Sequence, residues 1–288
     1  MDVVVPFAGS DTALRATLTR LEGLSRQDGD TVVVADNRPG ARARASDGDV
    51  RIVAAGDRRG SYFARNRGAE AGDNPWLVFV DADVEPPADL LDRYFAEAPG
   101  ERCGVLGGSV VDEPPDGAAT PAVRYAHTFG LMSQDVTLAR PRFAYFQTAN
   151  CAVRREAFDA VGGFREEIRS GGDADLCFRI RDAGWALERR DGARVVHRSR
   201  TTVRALLRQR VRVGAGARWL EERYPGFAPR RPLWRVLAGD ARRLASGLAA
   251  MARGGGDDAL VRTFDALQDA AFQVGWRLPN HADGSRRR

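Results

Sequence analysis

Two aspartates, Asp81 and Asp83, directly follow the apolar run Trp76-Leu77-Val78-Phe79-Val80. A continuous run of β-branched and aromatic residues of that length reads as a buried strand. Pro86-Pro87, just beyond, stops regular structure from continuing. In an extended chain residues i and i+2 point the same way, so both carboxylates address one site past the strand's carboxyl end. Ligands of open α/β sheets bind at that edge. Two hard oxygen donors there suit a divalent cation, Mg²⁺ or Mn²⁺, carrying a diphosphate. Taken alone, the triplet Asp81-Ala82-Asp83 is equally an acidic turn after a strand.

The elements that must position these carboxylates alternate strand and helix over the first hundred residues. Val3–Pro6, Thr31–Ala35, Arg51–Ala54 and Trp76–Val80 are strand-like; Ser10 or Asp11 caps a helix to about Leu24, and Ser61–Ala71 forms another. This rhythm predicts an α/β fold with a mainly parallel central sheet flanked by helices. Further on, Ala88–Ala96 reads as a helix, Cys103–Val111 and Phe143–Thr148 as strands, and Arg154–Val161 and Ala174–Ala183 as helices. The segment Asp112–Pro121 reads as a surface loop. From Thr201 the pattern is helical, with Val203–Glu222, Leu233–Ala252 and Asp258–Gly275 separated by Pro/Gly-rich breaks. The expected organisation is a domain over 1–200, a helical C-terminal extension over 201–280 and a disordered tail over 281–288.

The composition, 43% hydrophobic and 29% charged in 288 residues, is that of a globular protein. Every basic residue other than histidine is arginine, so total arginine content says little about partners. Cys103, Cys151 and Cys177 have no metal-type spacing and read as buried free thiols in a reducing compartment. No signal-peptide pattern or membrane-length apolar run is present, and the expected location is cytoplasmic, with peripheral contact to the inner face of a membrane as an option. Arg204, Arg208 and Arg212 stack on one helix face at i, i+4 spacing. They read as a solvated basic face, or as contacts to a diphosphate or an anionic membrane surface. Few aromatics interleave this stretch beyond Trp219, Tyr224, Phe227 and Trp234, so no specific nucleic acid is expected.

Several motifs occur in a fixed order: a strand ending at Pro6, a strand ending at Asp36, Ala64-Arg65-Asn66-Arg67-Gly68, Asp81-Ala82-Asp83, Thr148 to Arg155, Val161-Gly162-Gly163-Phe164, and Gly171-Gly172-Asp173-Ala174-Asp175-Leu176. This order resembles the family 2 glycosyltransferases of the GT-A fold over roughly residues 2–200. The resemblance implies a GT-A-type nucleotide-sugar-binding fold and metal-dependent, inverting transfer of a sugar from a nucleotide-diphosphate sugar to an acceptor hydroxyl. UDP-sugars are favoured over GDP-sugars on family frequency alone, and the acceptor is open. Carried over by position, Asp36 recognises the base and Arg65 lines the same pocket. Asp81 approaches the ribose or metal, Asp83 binds the metal, and Asp173 is the general base. His197, following the strand-like Ala193–Val196, is a third metal ligand by the same analogy, or else orients its loop or binds a phosphate.

Each residue also has a plainer role: Asp36 as a turn cap, Arg65 as a surface helix arginine, Asp173 as the N-cap of the following helix, and Asp175 as a partner of the helix dipole. A retaining transferase on the same fold and a non-catalytic sugar-nucleotide-binding or scaffold protein are the alternative functions. The chain departs from the family pattern in three places. Phe7-Ala8-Gly9-Ser10-Asp11 stands where a polar segment ending in Asn-Glu is usual, Ala35 where a first acid is usual, and Gly172 where a Glu commonly precedes the base.

Overall fold

The computed structural model describes residues 1–45 and 50–282. In chain order the strands are β1 (Asp2–Phe7), β2 (Thr31–Asp36), β3 (Arg44–Ala45), β4 (Val50–Ala54), β5 (Trp76–Val80), β6 (Val84–Glu85), β7 (Cys103–Asp112), β8 (Asn150–Arg154) and β9 (Ala186–His197). The helices are α1 (Asp11–Glu22), α2 (Ser61–Ala69), α3 (Leu90–Tyr94), α4 (Pro121–Phe129), α5 (Gln134–Leu138), α6 (Arg155–Ala160), α7 (Gly172–Asp182), α8 (Val203–Arg223), α9 (Leu233–Ala252) and α10 (Asp257–Gly275). The chain divides into two compact units. One comprises Met1–Val111, Ser133–His197 and the chain end from His281; the other comprises Asp112–Met132 and Arg198–Asn280.

In the first unit the described residues form one mixed sheet in the order β3-β4-β2-β1-β5-β8-β7-β9-β6. Its parallel block is β4-β2-β1-β5, and β8 continues it antiparallel to β5. Val3, Val4, Val5, Val33, Val34, Leu77, Val78 and Phe79 are fully buried, which explains why these strands are unbroken apolar runs rather than alternating ones. Helix α1 starts where Ser10 Oγ accepts from the Ala13 amide, as its sequence predicts. Helix α2 packs on β1 through Gly68, where a Cβ would lie 2.4 Å from Val4 Cγ1.

Two local expectations fail. Phe143–Thr148 is not a strand: Pro141–Phe143 is a turn of 3₁₀ helix, and the strand begins at Asn150. The aromatics that suggested a strand pack from an irregular segment instead, Phe143 and Tyr145 on the Phe178 ring and Phe146 into the space left by Gly107. Nor is Asp173 the N-cap of α7. Gly171 takes that place with φ of 85°, a left-handed conformation that favours glycine, and Asp173 lies in the first turn.

In the second unit Tyr125, Leu206, Leu260, Phe264 and Ala122 form the core between α4, α8 and α10. The loop expected over Asp112–Pro121 gives way to helix α4, which Thr120 caps with Pro121 in its first turn, a sequence signal for a helix start. Helices α8 and α10 approach closely at glycines: a Cβ on Gly275 would lie 1.9 Å from Val211 O, and one on Gly214 2.2 Å from Phe272 O. Among the described residues no helix is long and apolar enough to cross a membrane. Of the expected tail, 283–288 lies outside the described residues, while His281 bridges Ile168 and the Ala282 amide donates to Glu167 O at 2.9 Å.

Candidate active site

The end of β5 sets Asp81 beyond the parallel block, where its amide donates to Ala149 O at 3.3 Å. Its carboxylate accepts a hydrogen bond from Nη2 of Arg65, a buried arginine reaching up from α2. The Arg65 guanidinium lies 5.7 Å from the centre of the Tyr62 ring and 5.9 Å from that of Phe164, and its buried Nε has no hydrogen-bond partner. Burial pushes the Asp81 carboxyl above its ordinary range; Asp83 and Asp173 push the same way, while Arg65 and His197 oppose them. Five of the six residues expected at the site therefore share one electrostatic neighbourhood.

Asp83 stands half exposed, with His197 Nε2 3.6 Å from its Oδ2. The pairing of Val84 with His197 across β6 and β9 creates this proximity, 114 positions apart in sequence being irrelevant once the two strands are in register. Two donors bound cis to one Mg²⁺-sized ion lie about 3 Å apart, given bond lengths of about 2.1 Å. The pair is thus close to a two-ligand geometry. Among the described residues no three His, Cys, Asp or Glu side chains converge as a metal cluster. A carboxylate and an imidazole fit an ion whose other positions are filled by a diphosphate and water. Asp81 is already engaged by Arg65, which leaves it as a flanking charge.

Asp173, in the first turn of α7, accepts the Thr148 amide on Oδ2 at 3.3 Å. The turn before it is fixed from below. The Gly172 amide donates to Tyr62 Oη at 2.9 Å, and the Tyr62 ring fills the space a side chain at 172 would need, so the missing glutamate is sterically accounted for. Asp175 is fully buried and accepts from Arg179 Nε at 2.8 Å and Arg165 Nε at 3.3 Å. Arg179 also donates to the carbonyls of Val161 and Gly163, and Asn66 bonds both Phe164 N and O, tying α2 and α7 to the Gly162-Gly163 turn. Asp175 is a structural anchor for the helix that carries Asp173.

Asp36 ends β2, two strand spacings or about 10 Å from β5. It is buried, and both oxygens are taken by Arg38, with Nε at 2.8 Å from Oδ1 and Nη2 at 2.6 Å from Oδ2. Asn37 next to it shapes the loop after β4, donating to Arg58 O at 2.7 Å and accepting from the Gly60 amide at 2.9 Å. Arg65, expected to line the same pocket as Asp36, bonds Asp81. Arg38 and Tyr62 escaped the sequence reading: the only signal for Arg38 was its place two residues after Asp36, and nothing local marked Tyr62. The three cysteines are buried free thiols, as expected, and burial pushes the Cys177 thiol up to about 12.

The family described as glycosyltransferase like family 2 matches residues 1–216. Glycosyltransferase AglE of Haloferax volcanii is 30% identical over 210 residues, 68% of this chain and 67% of its own length. The pre-mycofactocin glycosyltransferase of Mycobacterium tuberculosis is 26% identical over 232 residues, 77% of this chain; the match spans about half of that protein, 48%. Among solved structures, the mannosyltransferase PcManGT from Pyrobaculum calidifontis, in complex with GDP-Man and Mn²⁺, aligns with a TM-score of 0.60 at 17% identity, over 96% of this chain and 86% of its own. Glucosyl-3-phosphoglycerate synthase from Mycobacterium tuberculosis, with Mg²⁺ and UDP, aligns with a TM-score of 0.51 at 18% identity, over 79% of this chain and 78% of its own. At these identities the two structures share the GT-A fold with this chain.

Proposed function

The chain belongs to glycosyltransferase family 2, and from that premise we propose that it moves a sugar from a nucleoside-diphosphate sugar to an acceptor hydroxyl, with inversion and with a divalent cation. The observation that supports this reading is the gathering of Arg65, Asp81, Asp83, Asp173 and His197 at the carboxyl edge of the sheet. Asp83 and His197 would hold the ion, which supplies positive charge to the leaving diphosphate. Arg65, fixed on Asp81, adds a buried positive charge to the same neighbourhood. Asp173 is the general base. The Thr148 amide orients one of its oxygens, and the other takes the acceptor proton as the hydroxyl attacks the anomeric carbon. The transferase domain is read over residues 1–200 and the helical extension over 201–280, the compact unit that holds the extension also taking in Asp112–Met132. Arg204, Arg208 and Arg212, all exposed on α8, give that extension a face for an anionic bilayer. Cosedimentation with vesicles containing anionic lipid, abolished by changing all three to Gln, is the expected behaviour; equal cosedimentation of the variant removes that role.

The test of the reaction is proton NMR of the product's anomeric centre, with turnover measured in chelator and after Mn²⁺ is restored. The expected result is the configuration opposite to the donor's, with turnover lost in chelator and regained with the ion. Retained configuration would replace inversion by a retaining course, and turnover unaffected by chelation would remove the ion from the reaction.

A further inference from the structure

We infer that the base subsite is built for guanine, so that the donor is a guanosine-diphosphate sugar; this rests on the reading of Asp36 as the carboxylate that recognises the base. Asp36 is one of the most enclosed carboxylates at this edge, and Arg38 meets it with a planar fork, Nε to Oδ1 at 2.8 Å and Nη2 to Oδ2 at 2.6 Å. The same guanidinium lies 5.5 Å from the centre of the Phe7 ring, and its remaining Nη1 reaches out to Asp11 at 2.5 Å. Asp11 is 74% exposed while Asp36 is 4% exposed, so Arg38 stands between a solvated carboxylate and a buried one.

A base that docks on Asp36 displaces this fork and must replace it. A buried carboxylate left with fewer donors bears an uncompensated desolvation cost. Only guanine among the common bases presents two adjacent donors, N1–H and N2–H, on its pairing edge, with the spacing and planarity of the guanidinium fork. Uracil offers one N3–H flanked by two carbonyl oxygens that would face the carboxylate. Adenine and cytosine set one amino donor beside a ring acceptor. The plane occupied by the guanidinium over Phe7 is also a place where a purine can lie. Arg38 is an internal stand-in for the base, and the exposed Asp11 is positioned to keep hold of it once it is displaced.

Calorimetry of the whole chain with Mn²⁺ against GDP, UDP and inosine diphosphate tests this, the last lacking the 2-amino group. GDP is expected to bind at least about tenfold more tightly than either, because a site built to hydrogen-bond a donor rejects an analogue without it. Arg38→Met removes the internal competitor and is expected to tighten GDP further; weakened GDP binding in that variant would overturn the stand-in role. Asp36→Asn, with folding checked by its thermal melt, is expected to erase the preference for GDP. UDP binding as tightly as GDP, with both weakened by Asp36→Asn, would overturn guanine selection while leaving Asp36 as the base residue. Nucleotide binding indifferent to Asp36→Asn would overturn the base subsite, and no binding of any nucleotide would overturn the donor reading.

Discussion

The amino and carboxyl edges of the parallel strands each carry an aspartate, Asp2 fully buried and Asp81 partly so, and the two are treated in opposite ways. Asp2, opening β1, has Thr31 Oγ1 at 2.6 Å, Asn74 Nδ2 at 2.8 Å, the Asn74 amide at 3.0 Å and Arg155 Nη2 at 2.6 Å. Burial alone would raise its carboxyl, but these bonds outweigh burial and hold it below its ordinary value. Asp81, past the end of β5, has Arg65 and two neighbouring carboxylates, and it is held above that value. A carboxylate with four donors fastens the strand starts to α6; Asp81 instead is held by one arginine beside two like charges. On the proposed reading, the difference separates a position that serves stability from one that serves ligand binding, since the sites that break local satisfaction are expected to be functional.

Substitutions that exchange these behaviours test the contrast. The largest expected effect is at the carboxyl edge: Asp173→Asn should lower kcat by about 10²–10⁴-fold with nucleotide affinity retained, as measured by turnover and calorimetry together. At the amino edge, Arg155→Met strands Asp2 as a buried unpaired charge and should cost about 3–5 kcal/mol in urea unfolding, with the donor affinity of the folded protein unchanged. Gly72→Ala should cost about 1–3 kcal/mol, because a Cβ there would lie 2.4 Å from Asp2 Oδ2. A drop in donor affinity in either variant would blur the distinction between the edges.

The smallest effect is in pH dependence, and its sign differs between the edges. Asp2, depressed below 3.8, contributes stability that is present above that value and lost as pH falls through its folded pKa. Asp81, raised above 3.8, contributes stability that is present below that value and lost as pH rises through its folded pKa. On acidification the stability of wild type relative to Asp2→Asn should therefore fall, and that relative to Asp81→Asn should rise. Parallel slopes for the two pairs would contradict the assignment.

Much of the carboxyl edge was legible in the sequence because it is built from local signals. The run Trp76–Val80 is β5 to the residue, whereas Asp81 to Asp83 is not the extended segment that alternation assumes: the Val84 amide donates to Asp81 O at 3.2 Å and closes a turn there. What failed depended on distant contacts. Phe143–Thr148 has strand composition, yet its aromatics are claimed by Phe178 and by the gap at Gly107. The partner of Arg65 lies 16 positions away in the chain, so a helix arginine near a base pocket could not be told from one clamped on Asp81. Gly172 looked like a missing carboxylate; Tyr62, 110 positions away, occupies that space.

The central claim is that the carboxyl edge binds a nucleoside diphosphate through an ion held by Asp83 and His197. The most direct measurement is calorimetric titration of GDP and UDP into wild type and Asp83→Ala, with and without Mn²⁺. Binding of at least one nucleotide that requires Mn²⁺ in wild type and is lost in Asp83→Ala, whose half-exposed site leaves folding intact, is the predicted result. Binding of equal strength with or without Mn²⁺, unchanged in Asp83→Ala, would contradict it.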